Sequence, residues 1–367
     1  MSIFKRSLQA LLLACSSAAL VPTAEAITPE SGFWYVASEP GTGISIEITD
    51  DFLYLAAYGF DAAGFPFWYT SGGFMSNDRT YSGGLAEFRN GQAFGAGWLR
   101  MPDYLGDTGG QVNINFNPND ETRATISWFG RTYQIERTDT FRLIHGTANN
   151  LHQSQRMLGE WTMVFDLYTR PGDTYAAYPF FGDVVIFDLV DQTTNPDYYD
   201  GCRPTSSLTG ECTTSALSKH DASGYYNAPT GEQIFVVADA YVTNPANDTF
   251  FNYFVKAGLT QFDGFMSITT RGQNAANGPF YPVRGFRSAS ANYVITGVGP
   301  NSVEDDSKAA STPAISLADS LKQMNGGTLP SGLTAAEVLE RFGMDVSKLA
   351  PLTKPIQDRM QIKRAQR

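Results

Sequence analysis

Cysteine and histidine are scarce, three of each in 367 residues, so the chain is short of the side chains that carry most nucleophilic and metal chemistry. His145, His152 and His220 stand apart with no helical pattern around them, which excludes the histidine pair at helical spacing used by metallohydrolases. No Gly-x-Ser-x-Gly occurs, so the strand-to-helix nucleophile elbow of serine hydrolases is missing. His220-Asp221 is no base with an orienting acid, because adjacent residues of an extended chain point apart. Charged residues make up only 17%, with a net charge of -11, and the clustered basic surface that nucleic acid needs is absent. The Asp-rich stretches 117–121 and 195–200 lack the spacing of a calcium loop, and no metal or cofactor is expected. A pair of carboxylates drawn from distant positions remains open as the basis of a secreted glycoside hydrolase.

Long apolar runs are also missing after the amino terminus. Residues 1–26 read as a signal peptide: Lys5 and Arg6, an apolar stretch from Leu8 to Val21, then Pro22 and Ala24-Glu25-Ala26, with cleavage expected after Ala26. Leu12-Leu13-Ala14-Cys15 is the competing lipoprotein site. The stretch is short of the roughly 20 residues of a spanning helix, and no later segment qualifies. The expectation is a soluble protein in the periplasm or secreted. Removal of Cys15 leaves Cys202 and Cys212, an even pair in an exported chain, predicted to close a local disulfide. Zinc is the weaker alternative, with His220 the one nearby ligand.

What is abundant is aromatic and turn-forming: 25 Phe, 18 Tyr and 35 Gly, a balance suited to many short strands and tight turns. Period-2 alternation recurs in Ile44-Ser45-Ile46-Glu47-Ile48, Val112-Asn113-Ile114-Asn115-Phe116 and Tyr133-Gln134-Ile135-Glu136, with turn signals between. Residues 27–147 are read as a first β domain. Residues 148–298 form a second, with strands near Trp161–Leu167, Asp183–Val190, Gln233–Val242, Phe250–Ala257 and Phe265–Thr270, and a long surface loop over 191–228 that holds the cysteines. The stretch 299–332 is a polar linker with a capping box at Ser316-x-x-Asp319, and 333–367 a helical tail opened by Thr334-x-x-Glu337. Its end is basic, with Lys354, Arg359, Lys363, Arg364 and Arg367. It folds back onto an acidic surface or docks a partner protein or anionic lipid. The fold class predicted is all-β: two tandem antiparallel up-and-down barrels or sandwiches with a short helical tail.

Both β regions open with Gly-x-Trp, as Gly32-Phe33-Trp34 and Gly159-Glu160-Trp161, which points to internal duplication. With an Arg late in the last strand, this pattern is similar to lipocalin and avidin-like barrels, where the Arg covers the Trp at the closed end. The resemblance implies structural roles for Gly32, Trp34 and Arg137 in the first region, and for Gly159, Trp161 and Arg284 in the second. Residues 32–141 also resemble an uncharacterised module of exported proteobacterial proteins. That likeness rests on Gly32-x-Trp34, Glu39-Pro40-Gly41-x-Gly43, Tyr58 to Gly64, Pro66-x-Trp68-Tyr69, Tyr81-Ser82-Gly83 and Arg137-x-x-x-Phe141, and implies an extracytoplasmic β module.

By elimination, Trp68, Trp98 and Trp128 are the candidate binding residues, either lining a barrel mouth or filling its core. The function expected is non-catalytic binding of a small apolar, aromatic or sugar ligand. An outer-membrane barrel is the alternative of a different class, against which stand the polar helical tail and the lack of a final strand ending in an aromatic.

Overall fold

The computed structural model describes residues 29–92, 95, 97, 101–118, 120–138, 153–167, 180–203, 222–239, 248–290, 294, 317–324 and 328–365. The leader, the three histidines, Trp98, Cys212 and the polar stretch to residue 316 lie outside these.

Ten strands make up the first unit: β1 (Gly32–Tyr35), β2 (Gly43–Thr49), β3 (Phe52–Phe60), β4 (Pro66–Phe74), β5 (Thr80–Gly84), β6 (Phe88–Arg89), β7 (Asp103–Tyr104), β8 (Gln111–Asn117), β9 (Asp120–Trp128) and β10 (Arg131–Arg137). Eight of them form one antiparallel sheet in the order β4-β3-β2-β1-β10-β9-β8-β5, an up-and-down meander. β6 and β7 form a separate hairpin between β5 and β8. The two end strands meet at a bridge between Thr70 and Ala86, and the Ser71 and Tyr81 hydroxyls hydrogen-bond across the same seam at 2.7 Å. Alternation decides which way each side chain faces. Leu53, Leu55 and Ala57 of β3 are buried with Trp34, Ile44, Ile46, Val112, Ile114, Ile126 and Ile135, while Phe52, Tyr54, Tyr58 and Phe60 of the same strand point outward.

The second unit is a closed eight-stranded barrel: β11 (Gly159–Asp166), β12 (Phe180–Asp191), β13 (Tyr198–Cys202), β14 (Ala222–Asn227), β15 (Glu232–Ala238), β16 (Thr249–Ala257), β17 (Gln261–Thr270) and β18 (Phe280–Ser290), each pairing with the next and β18 with β11. Its lumen is packed with Trp161, Met163, Phe165, Phe187, Tyr199, Phe235, Tyr253, Phe262, Met266 and Tyr281. Each large apolar side chain buried this way contributes about 1.5–3 kcal/mol. Helix α1 (Leu317–Met324) adds Ala318 and Leu321 to this core, although it lies in the stretch read as a linker.

The long surface loop expected over 191–228 is corrected by β13 and β14, which fall inside it. β13 reads Tyr-Tyr-Asp-Gly-Cys with all five residues buried. It lies between the barrel core and the tail, so it shows no alternation for a sequence pattern to catch. Pro282 lies within β18. At that residue only β17 is laddered to the strand, because pairing with β11 stops at Val283, and proline is tolerated where one side is free.

The tail runs through α2 (Ala335–Phe342), α3 (Val346–Leu349), a 3-10 turn (Ala350–Leu352) and α4 (Thr353–Ala365). The capping box at Thr334 and Glu337 is formed, and the left-handed Gly343 ends α2. Val338, Met344, Val346, Leu349, Ile356 and Met360 cover the outer wall of the second barrel over Ile234, Val236, Phe250, Phe254 and Phe265. That cover explains why β15 and β16 are apolar on both faces.

Candidate functional site

Three tryptophans were singled out from the sequence, and the two within the described residues have opposite surroundings. Trp128 is buried at 6% exposure in the first barrel's core, beside Phe129, which also meets Phe67 and Tyr69. These rings pack against one another at that end of the barrel. Trp68 lies on the outward face of β4 and is 53% exposed.

Trp68 belongs to a row of rings that crosses the outer wall. Strand register sets Tyr58 opposite Trp68, and Gly43 opposite Tyr58. Phe33 on β1 lies 6.0 Å from Tyr58 with planes 24° apart, leaning over Gly43. A Cβ at Gly43 would stand 2.4 Å from the Phe33 ring and 2.5 Å from the Tyr58 hydroxyl, so only glycine leaves the two rings together. On the other side Phe88 of the β6–β7 hairpin lies 6.1 Å from Trp68 with planes 18° apart, and Tyr104 lies 5.4 Å from Phe88. The sequence had suggested Trp68 alone. The other members were legible only as outward positions of strands whose pairing was unknown.

Polar side chains flank the Trp68 end. Glu87 accepts from Arg89 at 2.7 Å and from Thr108 at 2.5 Å, the Asn90 amide donates to Asp103 at 2.7 Å, and the Tyr104 hydroxyl donates to Asp107 at 3.1 Å. The hydrogen bonds from Thr108 and Arg89 hold the Glu87 carboxyl below the ordinary glutamate range. Further along the wall Glu47 lies opposite Tyr54, and Phe52 and Phe74 meet edge to face. The far side of the same barrel is polar outward, with Asn113, Asn115, Arg123, Thr125 and Gln134. The aromatic wall is therefore one-sided.

The structural residues fall at the ends of the barrels. Gly32 and Gly159 sit at positive φ, +151° and +121°, and in both barrels the Trp two residues on is registered against an Arg of the last strand. In the first barrel that Arg is Arg137, whose guanidinium donates to the Ser31 carbonyl at 2.7 and 3.0 Å. In the second it is Arg287 and not Arg284. Arg287 lies 4.2 Å over Trp161 and donates to the carbonyls of Leu259, Leu158 and Arg156. Arg284 points outward, largely exposed, and pairs with Asp263 at 2.6 Å. Cys202 is buried at the end of β13.

A groove of about 760 Å³ follows the outer wall of the second barrel between Asp78 and Phe342, with Val164, Phe180 and Phe286 on its floor. Register sets Lys256, Asp263 and Arg284 side by side across it, so charges of alternating sign neutralise one another there. Opposite the closed end, Arg203 makes a forked pair with Asp183 at 2.8–3.1 Å and faces Asp239. Burial alone would lower the Arg203 pKa, but the neighbouring carboxylates raise it. In both places the charged side chains are paired with one another. Among the described residues no group of three or more His, Cys, Asp or Glu is placed to hold a metal.

No protein family, characterised protein or solved structure matches the chain.

Proposed function

We propose that this chain is an exported, non-catalytic binding protein whose ligand surface is the outer aromatic wall of the first barrel, and that the ligand is one with flat apolar faces, an aromatic ring or a sugar. The observation that carries this reading is the row Phe33, Tyr58, Trp68, Phe88 and Tyr104, with four of the five rings between 38% and 60% exposed except the half-buried Phe88. Exposed apolar surface of this extent costs solubility and marks a site where something binds. A lumen ligand fits less well, since side chains occupy both barrels. An outer-membrane barrel fits less well too, because it requires an apolar girdle on every side and the wall of β8 to β10 is polar. Export and a Cys202–Cys212 disulfide belong to the same reading and rest on the leader and the cysteine count.

The test is tryptophan fluorescence of the mature protein titrated with oligosaccharides and aromatic compounds. A saturable change in the wild type that is lost in Trp68→Ala, with far-UV circular dichroism unchanged, is the expected result. A response that survives Trp68→Ala but disappears in Trp128→Phe would move the ligand into the first barrel.

A further inference from the structure

We infer that the wall binds an uncharged glycan chain of about four to five hexose units, lying across the strands. The inference rests on the aromatic wall being the ligand surface, and three observations specify the ligand.

The first is length. Ring to ring, Phe33 lies 6.0 Å from Tyr58, Tyr58 and Trp68 sit one strand interval of about 4.8 Å apart, and Phe88 and Tyr104 carry the row on in steps of 6.1 and 5.4 Å. The row reaches at most about 22 Å, the length of about four to five hexoses in an extended chain. A single small aromatic compound would use one or two of these rings and leave the others bare.

The second is the pairing of ring faces with planar polar groups. A pyranose has an apolar C–H face and a rim of hydroxyls, so it needs an aromatic surface and hydrogen-bonding side chains within one ring's width. Trp68, Phe88 and Tyr104 provide the surface, the Asp107 carboxylate accepts from the Tyr104 hydroxyl at 3.1 Å, and Glu87, Arg89, Asn90 and Asp103 belong to the same short hairpin, with Arg89 and Asp103 on its opposite face. These side chains already hydrogen-bond one another, which reduces the conformational entropy lost when a sugar replaces water. A purely apolar partner, such as a lipid surface or a second copy of the same wall, would take these charged side chains out of water and offer them no hydrogen bond in exchange.

The third is charge. Glu87, Asp103 and Asp107 outnumber Arg89 around the β6–β7 hairpin, on a protein of net charge -11. Uronate, sulfate and phosphate chains are repelled from such a face.

The experiment is calorimetric titration of the full mature protein with glucose and mannose oligomers of one to six units, β-1,4 and α-1,4 linked, and with polygalacturonate, at low and high salt. The expected result is affinity rising at least tenfold from the dimer to the pentamer and then levelling. It should change less than twofold with salt and fall at least tenfold in Trp68→Ala. Gly43→Ala is the companion variant, because it keeps every ring and forces Phe33 and Tyr58 apart, and it should weaken the pentamer more than the dimer. Binding that depends on Trp68 but is equal for monomer and pentamer, or that favours polygalacturonate with steep salt dependence, overturns the neutral-chain inference and leaves the wall as the ligand surface. No binding by any oligomer overturns both.

Discussion

Two arginines separated by three positions on β18 carry opposite physical loads. Arg287 is buried, satisfies three backbone carbonyls and covers Trp161, so Arg287→Ala leaves buried acceptors unpaired. It should cost about 3 kcal/mol in urea unfolding. Arg284→Ala breaks only an exposed pair with Asp263 and should stay within about 0.5 kcal/mol. Similar losses at both positions would refute the assignment of the covering arginine. The sequence carried half of this distinction: Gly159, Trp161 and a late arginine were legible as a pattern. Choosing between 284 and 287 needed the register, which a bulge between Glu160 and Trp161 shifts by one residue. The same limit applied to Trp68, where alternation put the ring on one face of β4 and could not say which face was wet. Gly43 shows the reverse. It stood in the sequence only as a member of Glu39-Pro40-Gly41-x-Gly43, and the two rings leaning over it account for the glycine.

At the scale of elements, strands were readable where one face meets water and unreadable where both are covered. β2, β8 and β10 alternate cleanly, whereas β13, under α4, reads as a loop. The tail that covers it is held by charge as well as by apolar contact. Arg359 pairs with Asp191 at 2.6 Å and Asp200 at 2.9 Å, Lys363 also reaches Asp200, and the Gln357 amide donates to Asn252 at 2.8 Å. The basic end of an acidic chain thus meets its own barrel. Hydrogen bonds from Thr193 and then Arg359 hold the Asp191 carboxyl well below its ordinary range. Burial works against ionisation of Asp200, and Lys363 outweighs it, so its pKa is lowered as well. Carboxylates with depressed folded-state pKa values stabilise above the unfolded value of about 3.9 and lose that contribution as pH falls through the folded one. Protease resistance of the tail should therefore be flat from pH 7 to about 5 and decline below about pH 4. Asp200→Asn should expose α4 to cleavage already at neutral pH. A tail equally resistant at every pH, and in Asp200→Asn, would show that apolar contact alone retains it.

At the scale of the whole molecule, a buried carboxylate joins the two barrels. Glu30, just before β1, is 2% exposed and lies 3.5 Å from Arg137. Its carboxylate accepts from the Thr260 amide and hydroxyl and the Gln261 amide in the β16–β17 turn of the second barrel, at 2.9–3.2 Å. The Arg287 guanidinium donates to the carbonyl of Leu259 in the same turn. The two Trp–Arg ends are thereby joined back to back. Glu30→Ala should leave each barrel folded and uncouple them, giving two thermal transitions in place of one and a larger radius of gyration in solution scattering. A single transition at the wild-type temperature would show that the joint lies elsewhere. With the Trp–Arg ends turned toward each other and side chains filling both cores, the outer wall of the first barrel is the surface proposed for binding. Hydroxyl-radical footprinting of the mature protein, with and without a β-1,4-linked glucose pentamer, tests that claim most directly. Protection confined to Phe33, Tyr58, Trp68 and Tyr104 is the predicted result. Protection of Trp128 or Tyr133 with Trp68 still fully reactive would contradict it and put the ligand inside the barrel.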